Sequence, residues 1–264
     1  MSYNWAVIKY YAQLTTAVIP SLLWQITVGV FLSPKKTYRL LERILELKDL
    51  YQTDKNLPSK NINEICPGDP NFRDIIIVGN YHTERSSDTR QLKELSSIAY
   101  LCRAMSFNAI FEIGTFVGRM TRIIAINSGN KAKVFTLDLP QDMVPHIVGE
   151  FYRDTEDAER ITQLYGDSRL FDYSKWYDSI DFCWVDACHD FDFAYSDTIA
   201  AFKMVKDGGW VGWHDYRHSA PWAGVTKTVK RINSMVGGGI VHICGTTTAI
   251  LQVTADMKKK VCSV

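Results

Sequence analysis

One segment, Phe111-Glu-Ile-Gly-Thr-Phe-Val-Gly-Arg-Met-Thr121, constrains the fold most strongly, because it joins a buried strand to a helix through a glycine turn. Positions 108–113 are mostly apolar and include two β-branched residues, and apolar residues recur at helical spacing over 120–126. Gly114 and Gly118 bracket the turn. Such a turn lets the backbone approach a ligand, and the helix that follows directs its N–H groups at an anionic group. The segment therefore predicts a site for a nucleotide-type cofactor.

The glycine spacing distinguishes two kinds of cofactor. A dinucleotide site has the spacing G-x-G-x-x-G, in which the second glycine leaves room for a pyrophosphate. Phe116 occupies that place here, so a ligand without a pyrophosphate fits better. Asp138 ends the next predicted strand about 20 residues after Gly118, where folds of this kind hydrogen-bond a ribose.

The motif Glu112-Ile-Gly-Thr-Phe-Val-Gly118 resembles the first motif of the class I S-adenosylmethionine-dependent methyltransferases. More narrowly, this segment is similar to the first motif of the metal-dependent O-methyltransferases of the catechol and caffeoyl-CoA type. The resemblance implies an α/β fold, a doubly wound, Rossmann-like sheet of seven strands whose last strand is antiparallel. It also implies S-adenosylmethionine as the cofactor. The residues expected to bind it are Glu112, Gly114, Thr115, Gly118, Asp138, Asp167 and Ser168.

Further segments follow in the order that this fold requires, over roughly residues 90 to 253. A third strand is predicted before Gly166-Asp-Ser168, and the similar element of the family contacts the adenine. A fourth strand ends in Asp186, and a fifth, after a helix stop at 206–209, ends in Asp215. The segments 240–243 and 249–253 predict a closing hairpin.

Three candidate metal ligands end the fourth and fifth strands: Asp186, His214 and Asp215. An open α/β sheet binds its ligands at this edge. The metal-dependent O-methyltransferases carry an Asp at the first place and an acidic residue followed by Asp or Asn at the second, so His214 departs from their pattern. Magnesium prefers oxygen ligands, whereas an imidazole favours manganese, iron, zinc or no metal. A divalent metal, magnesium or manganese, is expected here with its identity open.

A second resemblance concerns His189. Asp186-Ala-Cys-His189 and Gly209-Trp-Val-Gly-Trp-His-Asp-Tyr216 are similar to the Asp-Gly-Asp-His-Ser-Tyr and His-Asp-Tyr signatures of a group that includes macrolide-sugar O-methyltransferases and cephalosporin hydroxylase-like proteins. Ala187 and Cys188 depart from this pattern. In that group the matching histidine lies at the acceptor site and can act as a base, which suits an imidazole because it titrates near neutral pH.

These patterns predict an O-methyltransferase that acts on a hydroxyl of a small molecule or a sugar, with Asp186 and His189 as the catalytic residues. Structural roles stay open, because His189 can cap the next helix and His214 and Asp215 can bond backbone groups at a strand end. Two other functions stay open as well. One is a nicotinamide-dependent oxidoreductase, which Phe116 disfavours. The other is a non-catalytic protein that binds cofactor, a partner or a membrane.

Composition narrows the class of partner. The chain has 264 residues with 46% hydrophobic residues, enough for one full core and a modest extension. The formal charge is +1, so nucleic acid is not expected as a partner. The six cysteines lack CxxC pairs, which favours free thiols in a reducing, cytoplasmic compartment.

The N-terminal third differs from the rest of the chain. Residues 10–34 contain no charged side chain, which raises the question of contact with a membrane surface. Gln13, Pro20 and Gln25 argue against a membrane span. We therefore expect a hydrophobic, helical extension with a linker over residues 1–72 and a methyltransferase domain over 73–264. The apolar segment also predicts a homo-oligomer.

Overall fold

The computed structural model describes residues 24, 33, 57–67, 74–78, 89–216 and 223–263. The chain divides into two compact units, Met1–Thr53 and Asp54–Val264, and the second contains the sheet. The predicted membrane-surface segment 10–34 lies outside the described residues except for Trp24 and Ser33. Its role and the predicted boundary at residue 72 stay predictions.

One mixed sheet organises the second unit. Its strands are β1 (Ser59–Lys60), β2 (Ala109–Ile113), β3 (Lys133–Asp138), β4 (Ile161–Tyr165), β5 (Ile180–Val185), β6 (Val205–Trp213), β7 (Val241–Ile243) and β8 (Ala249–Gln252). Their spatial order is β1-β7-β8-β6-β5-β2-β3-β4. β8 runs antiparallel to both of its neighbours, β6 and β7, while the other pairs are parallel. The predicted α/β sheet with an antiparallel last strand is confirmed.

The strand order reverses at β2. From β2 the chain moves outward through β3 to β4, and then returns to place β5 on the other side of β2. Ile113 pairs with Leu137 on one side and with Val185 on the other, so the three strands end level with one another. In open α/β sheets a ligand binds in the crevice at such a reversal.

Helices cover the sheet. Their bounds are α1 (Ile62–Ile65), α2 (Thr89–Met105), α3 (Arg119–Asn127), α4 (Phe191–Met204), α5 (Ala223–Val236) and α6 (Ala255–Cys262), with 3-10 helices at Gln141–Met143, Glu156–Arg160 and Ser174–Trp176. Among the described residues, no helix is long and apolar enough to cross a membrane.

Two apolar layers hold the sheet between its helices. Along β5, Cys183 and Val185 pack in the layer that includes α4 and α5, whereas Phe182 and Trp184 pack in the layer that includes α2. All six residues of β5 are buried. A strand covered on both faces reads as a continuous apolar run, which explains why the sequence identified it without an alternating pattern.

Two predicted elements differ from the structure. Ser59–Lys60, placed in a linker, form β1, which adds an eighth strand beside β7. Residues 206–209, predicted as a helix stop, belong to β6, whose pairing with β5 shifts register between Ile180 and Phe182. Both differences concern partners distant in the chain, which a local pattern does not reveal.

Candidate active site

A cavity of about 980 Å³ lies at the carboxyl ends of β2, β3, β5 and β6. It brings together ten of the eleven predicted site residues: Glu112, Gly114, Thr115, Asp138, Asp167, Ser168, Asp186, His189, His214 and Asp215. The predicted cofactor residues and the predicted catalytic and metal residues therefore share one space. Their individual roles stay predictions.

Gly114 sits where two strands meet. Its φ is +104°, and a Cβ added there would lie 2.1 Å from the carbonyl oxygen of Asp186. The Gly114 N–H donates to the Leu137 carbonyl at 2.8 Å, and the Asp186 N–H donates to the Ile113 carbonyl at 2.8 Å. Glycine is required here because the chain leaves the parallel strands β2 and β5 in backbone contact, which places Gly114 and Asp186 side by side in the cavity wall.

Gly118, the remaining predicted cofactor residue, is absent from the cavity lining. It has a φ of +80°, and a Cβ there would lie 2.6 Å from the ring of Tyr152. Gly118 precedes the first residue of α3 as its N-cap. The ring of Tyr152 occupies the space next to Gly118 where a ligand would approach its backbone. A role of Gly118 in cofactor binding stays a prediction.

Glu112 is buried at the end of β2, with 1% of its surface exposed. Thr121 and Thr136 both donate their hydroxyls to its Oε2 atom. Burial raises the pKa of Glu112 to about 8, although the two threonine hydrogen bonds act in the opposite direction. The carboxyl group thus ties β2 to α3 and β3 and also forms part of the cavity floor.

Asp138 fixes the glycine turn. Its Oδ2 accepts the Phe116 N–H at 2.6 Å, and its Oδ1 accepts the Leu139 N–H at 2.7 Å. Phe116 has a φ of +50°, unusual for a bulky residue, and its ring is 59% exposed and lies 4.4 Å from the His146 ring. Asp138 therefore stabilises a strained turn, while each of its oxygens keeps a lone pair for a further donor.

Asp167 and Ser168 form a compact loop after β4. Asp167 Oδ1 accepts the Arg169 N–H at 2.9 Å, and the Tyr173 hydroxyl donates to the Ser168 carbonyl at 3.0 Å. Arg169 in turn packs over the ring of Phe193, 3.8 Å from its centroid. These contacts fix the loop at the cavity edge next to Asp138.

Asp186 lies at the opposite end of the cavity. The indole N–H of Trp184 donates to its Oδ2 at 3.4 Å. Burial raises the pKa of Asp186 to about 6, while the nearby His214 lowers it. At neutral pH the group is a carboxylate that is more basic than an ordinary aspartate.

Asp215 links two histidines. Its Oδ2 lies 2.9 Å from Nε2 of His189, and its Oδ1 lies 3.1 Å from Nε2 of His214. Asp215 is 8% exposed and has a φ of +57°, a conformation that aspartate adopts more readily than most residues. This backbone bend at the end of β6 aims the carboxylate across to the loop after β5. The N-cap of α4 is Asp190, so the helix-cap role that the sequence left open for His189 is not found.

Glu94 is a further neighbour of His214, and it was not predicted from the sequence. It lies on α2, is 3% exposed, and its Oε1 is 3.0 Å from Nδ1 of His214. Thr248 donates its hydroxyl to the same oxygen. Burial alone would lower the pKa of His214. The carboxylates of Asp186, Glu94 and Asp215 outweigh burial and raise this pKa well above its usual value.

The donor set does not fit the predicted metal. A carboxylate oxygen lies close to each ring nitrogen of His214, Glu94 at 3.0 Å and Asp215 at 3.1 Å, which favours a hydrogen on both nitrogens over a lone pair directed at an ion. Among the described residues, no group of three or more His, Cys, Asp or Glu side chains is placed to hold a metal ion. The six cysteines are free thiols.

Other lining residues also escaped the sequence reading. Arg119 begins α3 inside the glycine motif itself, and Met143 and His146 come from the connection between β3 and β4. The sequence could have indicated Arg119, because it is a cation at the helix N-terminus next to the turn. Nothing in the sequence distinguished Glu94 from the other polar residues along α2.

Comparison with known proteins gives a consistent result. Residues 111–216 match the family model described as a methyltransferase domain. The methyltransferase PaMTH1 of Podospora anserina, solved with S-adenosylhomocysteine, has a TM-score of 0.52 at 13% identity, covering 65% of this chain and 83% of its own. The O-methyltransferase TomG of Streptomyces achromogenes, solved with S-adenosylmethionine, has a TM-score of 0.50 at 16% identity, covering 81% and 99%. A search of curated proteins gives no match.

The chain has the class I methyltransferase fold. The match over residues 111–216 and the shared fold agree with the resemblance of Glu112–Gly118 to the methyltransferases. Relative to the seven strands that the resemblance implies, β1 is an addition at the sheet edge.

Proposed function

We propose that this protein transfers a methyl group from S-adenosylmethionine to a hydroxyl group of a small molecule or a sugar. The observation that carries the proposal is the single cavity that joins the glycine turn and Asp138 to Asp186, His189 and Asp215. A methyl donor and an acceptor must meet in one enclosed space, since transfer requires the reacting atoms to approach in line.

At the cofactor end, the residues present suit an adenosyl ligand. Asp138 keeps lone pairs for ribose hydroxyls, and the Asp167–Ser168 loop lies beside it for the adenine. Arg119 lines the same cavity and offers a guanidinium to the carboxylate of the methionine part. TomG, which shares the fold, was solved with S-adenosylmethionine.

At the acceptor end, the chain supplies a base and a means to orient it. S-adenosylmethionine, when bound, supplies a methyl group on a positively charged sulfur that a nucleophile can displace. His189 takes the proton of the acceptor hydroxyl, and Asp215 holds the ring through Nε2 and stabilises the charge that it gains. Asp186 is the alternative base, because its raised pKa suits proton transfer.

The loop that carries His189 is held from the far side by α5. A Cβ added at Gly224 would lie 2.2 Å from the His189 carbonyl oxygen, so α5 approaches this loop at backbone contact. Such support fixes the distance between His189 and Asp215. The protein then contributes mainly by positioning the acceptor hydroxyl in a cavity with restricted access to water.

Calorimetric titration of the purified full chain with S-adenosylmethionine, S-adenosylhomocysteine and NAD tests the cofactor. We expect micromolar binding of both adenosyl ligands and none of NAD, because Phe116 stands where a dinucleotide needs glycine. Binding of NAD alone would instead favour the oxidoreductase.

Acceptor screening tests the reaction. Formation of S-adenosylhomocysteine is measured with panels of sugars, phenols and small polyketides. Turnover that requires a hydroxyl acceptor supports O-methyl transfer. Tight binding of S-adenosylhomocysteine without turnover on any hydroxyl would overturn the proposed reaction and leave a cofactor-binding protein.

A further inference from the structure

The position of His214 is unusual for a residue at a predicted metal site. Its Nδ1 lies 3.0 Å from Glu94 and its Nε2 lies 3.1 Å from Asp215. A carboxylate oxygen this close to each ring nitrogen favours a hydrogen on both nitrogens, because an ionised carboxylate accepts hydrogen bonds and donates none. An imidazole with a hydrogen on both nitrogens is a cation without a lone pair for a metal.

Three carboxylates surround this ring from three separate elements. Glu94 comes from α2, Asp215 from the end of β6, and Asp186 from the end of β5. Close carboxylates in a poorly solvated site need a compensating cation. In the metal-dependent O-methyltransferases that the sequence resembles, a divalent ion meets such carboxylates. Here a side chain of the protein lies among them.

We propose that His214 takes the place of the divalent ion, so that this methyltransferase fold neutralises its acceptor site with an internal cation and binds no metal there. The proposal rests on the proposed function for what the site does, but its claim about metal stands on the two carboxylates that flank the His214 ring, Glu94 by a hydrogen bond to Nδ1 and Asp215 at ion-pair distance from Nε2. His214 is thus a positioning residue, which holds Asp215 toward His189 and keeps Asp186 next to a positive charge.

Glu94 is the residue that fixes this arrangement. Its carboxylate accepts from both His214 and Thr248, which lie 120 and 154 residues away along the chain. Because Glu94 is 3% exposed, solvent cannot replace either partner. The ring is therefore held at both nitrogens, and rotation toward a metal would leave a buried carboxylate without its partner.

Metal titration separates the two arrangements. The full chain is stripped with EDTA and titrated with Mn²⁺, with binding followed by calorimetry and by the electron paramagnetic resonance signal of free Mn²⁺. We expect no Mn²⁺ binding by the wild type below millimolar concentration. We also expect EDTA to change affinity for S-adenosylhomocysteine by less than about twofold.

A substitution should create the site that the wild type lacks. His214→Asp removes the cation and adds oxygen ligands between Asp186 and Asp215, and we expect Mn²⁺ binding at least about tenfold tighter than in the wild type. His146→Asp is the matched control, because His146 lines the same cavity away from these carboxylates. If His214→Asp does not fold, His214→Glu places a longer carboxylate at the same position.

Micromolar Mn²⁺ binding by the wild type that is lost in Asp215→Asn would overturn the proposal. So would folded His214→Asp and His214→Glu proteins that both bind Mn²⁺ no better than His146→Asp. Failure of S-adenosylhomocysteine to bind would count against the proposed function instead, because the Mn²⁺ measurements need no cofactor.

Discussion

The two ends of the cavity are built in different ways. At the cofactor end, carboxylates accept backbone N–H groups close to them, as Asp138 does from Phe116 and Leu139. At the acceptor end, side chains pair with one another across the fold, as His214 does with Glu94, 120 residues away. The cofactor end thus consists of turns held by backbone hydrogen bonds, whereas the acceptor end is a network of charged side chains.

The difference predicts how each end responds to change. A turn held by backbone geometry should lose its shape when a glycine or its acceptor is replaced, which weakens ligand binding. A charge network should keep its shape after an isosteric substitution but lose the protonation state that it imposes. Cofactor binding and turnover should therefore separate by mutation.

The largest effect is expected where the two ends touch. Gly114→Ala places a Cβ 2.1 Å from the Asp186 carbonyl oxygen, on a backbone with φ of +104°. We expect a loss of at least about 4 kcal/mol in the free energy of unfolding, measured by urea denaturation, and loss of S-adenosylhomocysteine binding.

Gly208→Ala is the matched control for that change. Gly208 also has a positive φ, +79°, but a Cβ there meets nothing within 4 Å. It should cost about 1 kcal/mol of stability and leave binding intact. Equal losses in the two variants would mean that backbone strain, rather than the close contact of Gly114 with Asp186, makes glycine necessary.

Asp186→Asn tests the acceptor end. The amide has nearly the same shape but cannot take a proton, so we expect turnover to fall by about 100- to 10,000-fold with S-adenosylhomocysteine affinity within about twofold. Asp190→Asn, an exposed carboxylate four residues on, should behave like the wild type. A loss of cofactor affinity equal to the loss of turnover would contradict a division between the two ends.

The pH profile sharpens the same test. Burial raises the pKa of Asp186 to about 6, and a base must be ionised to act. Activity should therefore be lost as pH falls through about 6 in the wild type. Any residual activity of Asp186→Asn should lack this acidic limb. An unchanged limb in the variant would assign it to another group.

Asp138→Ala tests the cofactor end. It removes the acceptor of the Phe116 and Leu139 N–H groups and the predicted ribose contact. We expect S-adenosylhomocysteine to bind about 10- to 100-fold more weakly by calorimetry, equivalent to one or two hydrogen bonds. Asp142→Ala, on the exposed 3-10 helix nearby, is the control and should bind normally. Unchanged affinity in Asp138→Ala would remove Asp138 from the cofactor site.

The smallest effect concerns Glu112. Burial raises its pKa from 4.5 to about 8, so between these values the folded protein holds a proton that the unfolded chain has released. Stability should then fall as pH rises through this window, by up to roughly 1 kcal/mol per pH unit. Glu112→Gln, which keeps an acceptor for Thr121 and Thr136, should lack that decline, measured as urea midpoints at pH 6, 7 and 8. Parallel declines in both proteins would show that Glu112 is not its source.

The local patterns explain why so much of the sheet was predictable. The strands β2, β3 and β5 are mostly apolar segments of five or six residues, and the carboxyl end of each is marked by an acidic residue, Glu112, Asp138 or Asp186. The edge strand β1 was missed because Ser59 and Lys60 are exposed and polar and pair with β7 across more than 180 residues of chain. Nothing in their own composition favours a strand.

By itself, the sequence indicated the α/β class, the succession of strands along the chain and the cofactor turn, because periodicity and glycine spacing are local properties of the backbone. It also placed Asp186, His214 and Asp215 at strand ends. Only the tertiary structure decided the order of the strands in the sheet and what those residues contact. Folding brings Glu94 to Nδ1 of His214 and Thr248 to Glu94, since side-chain pairing depends on distances in space rather than along the chain.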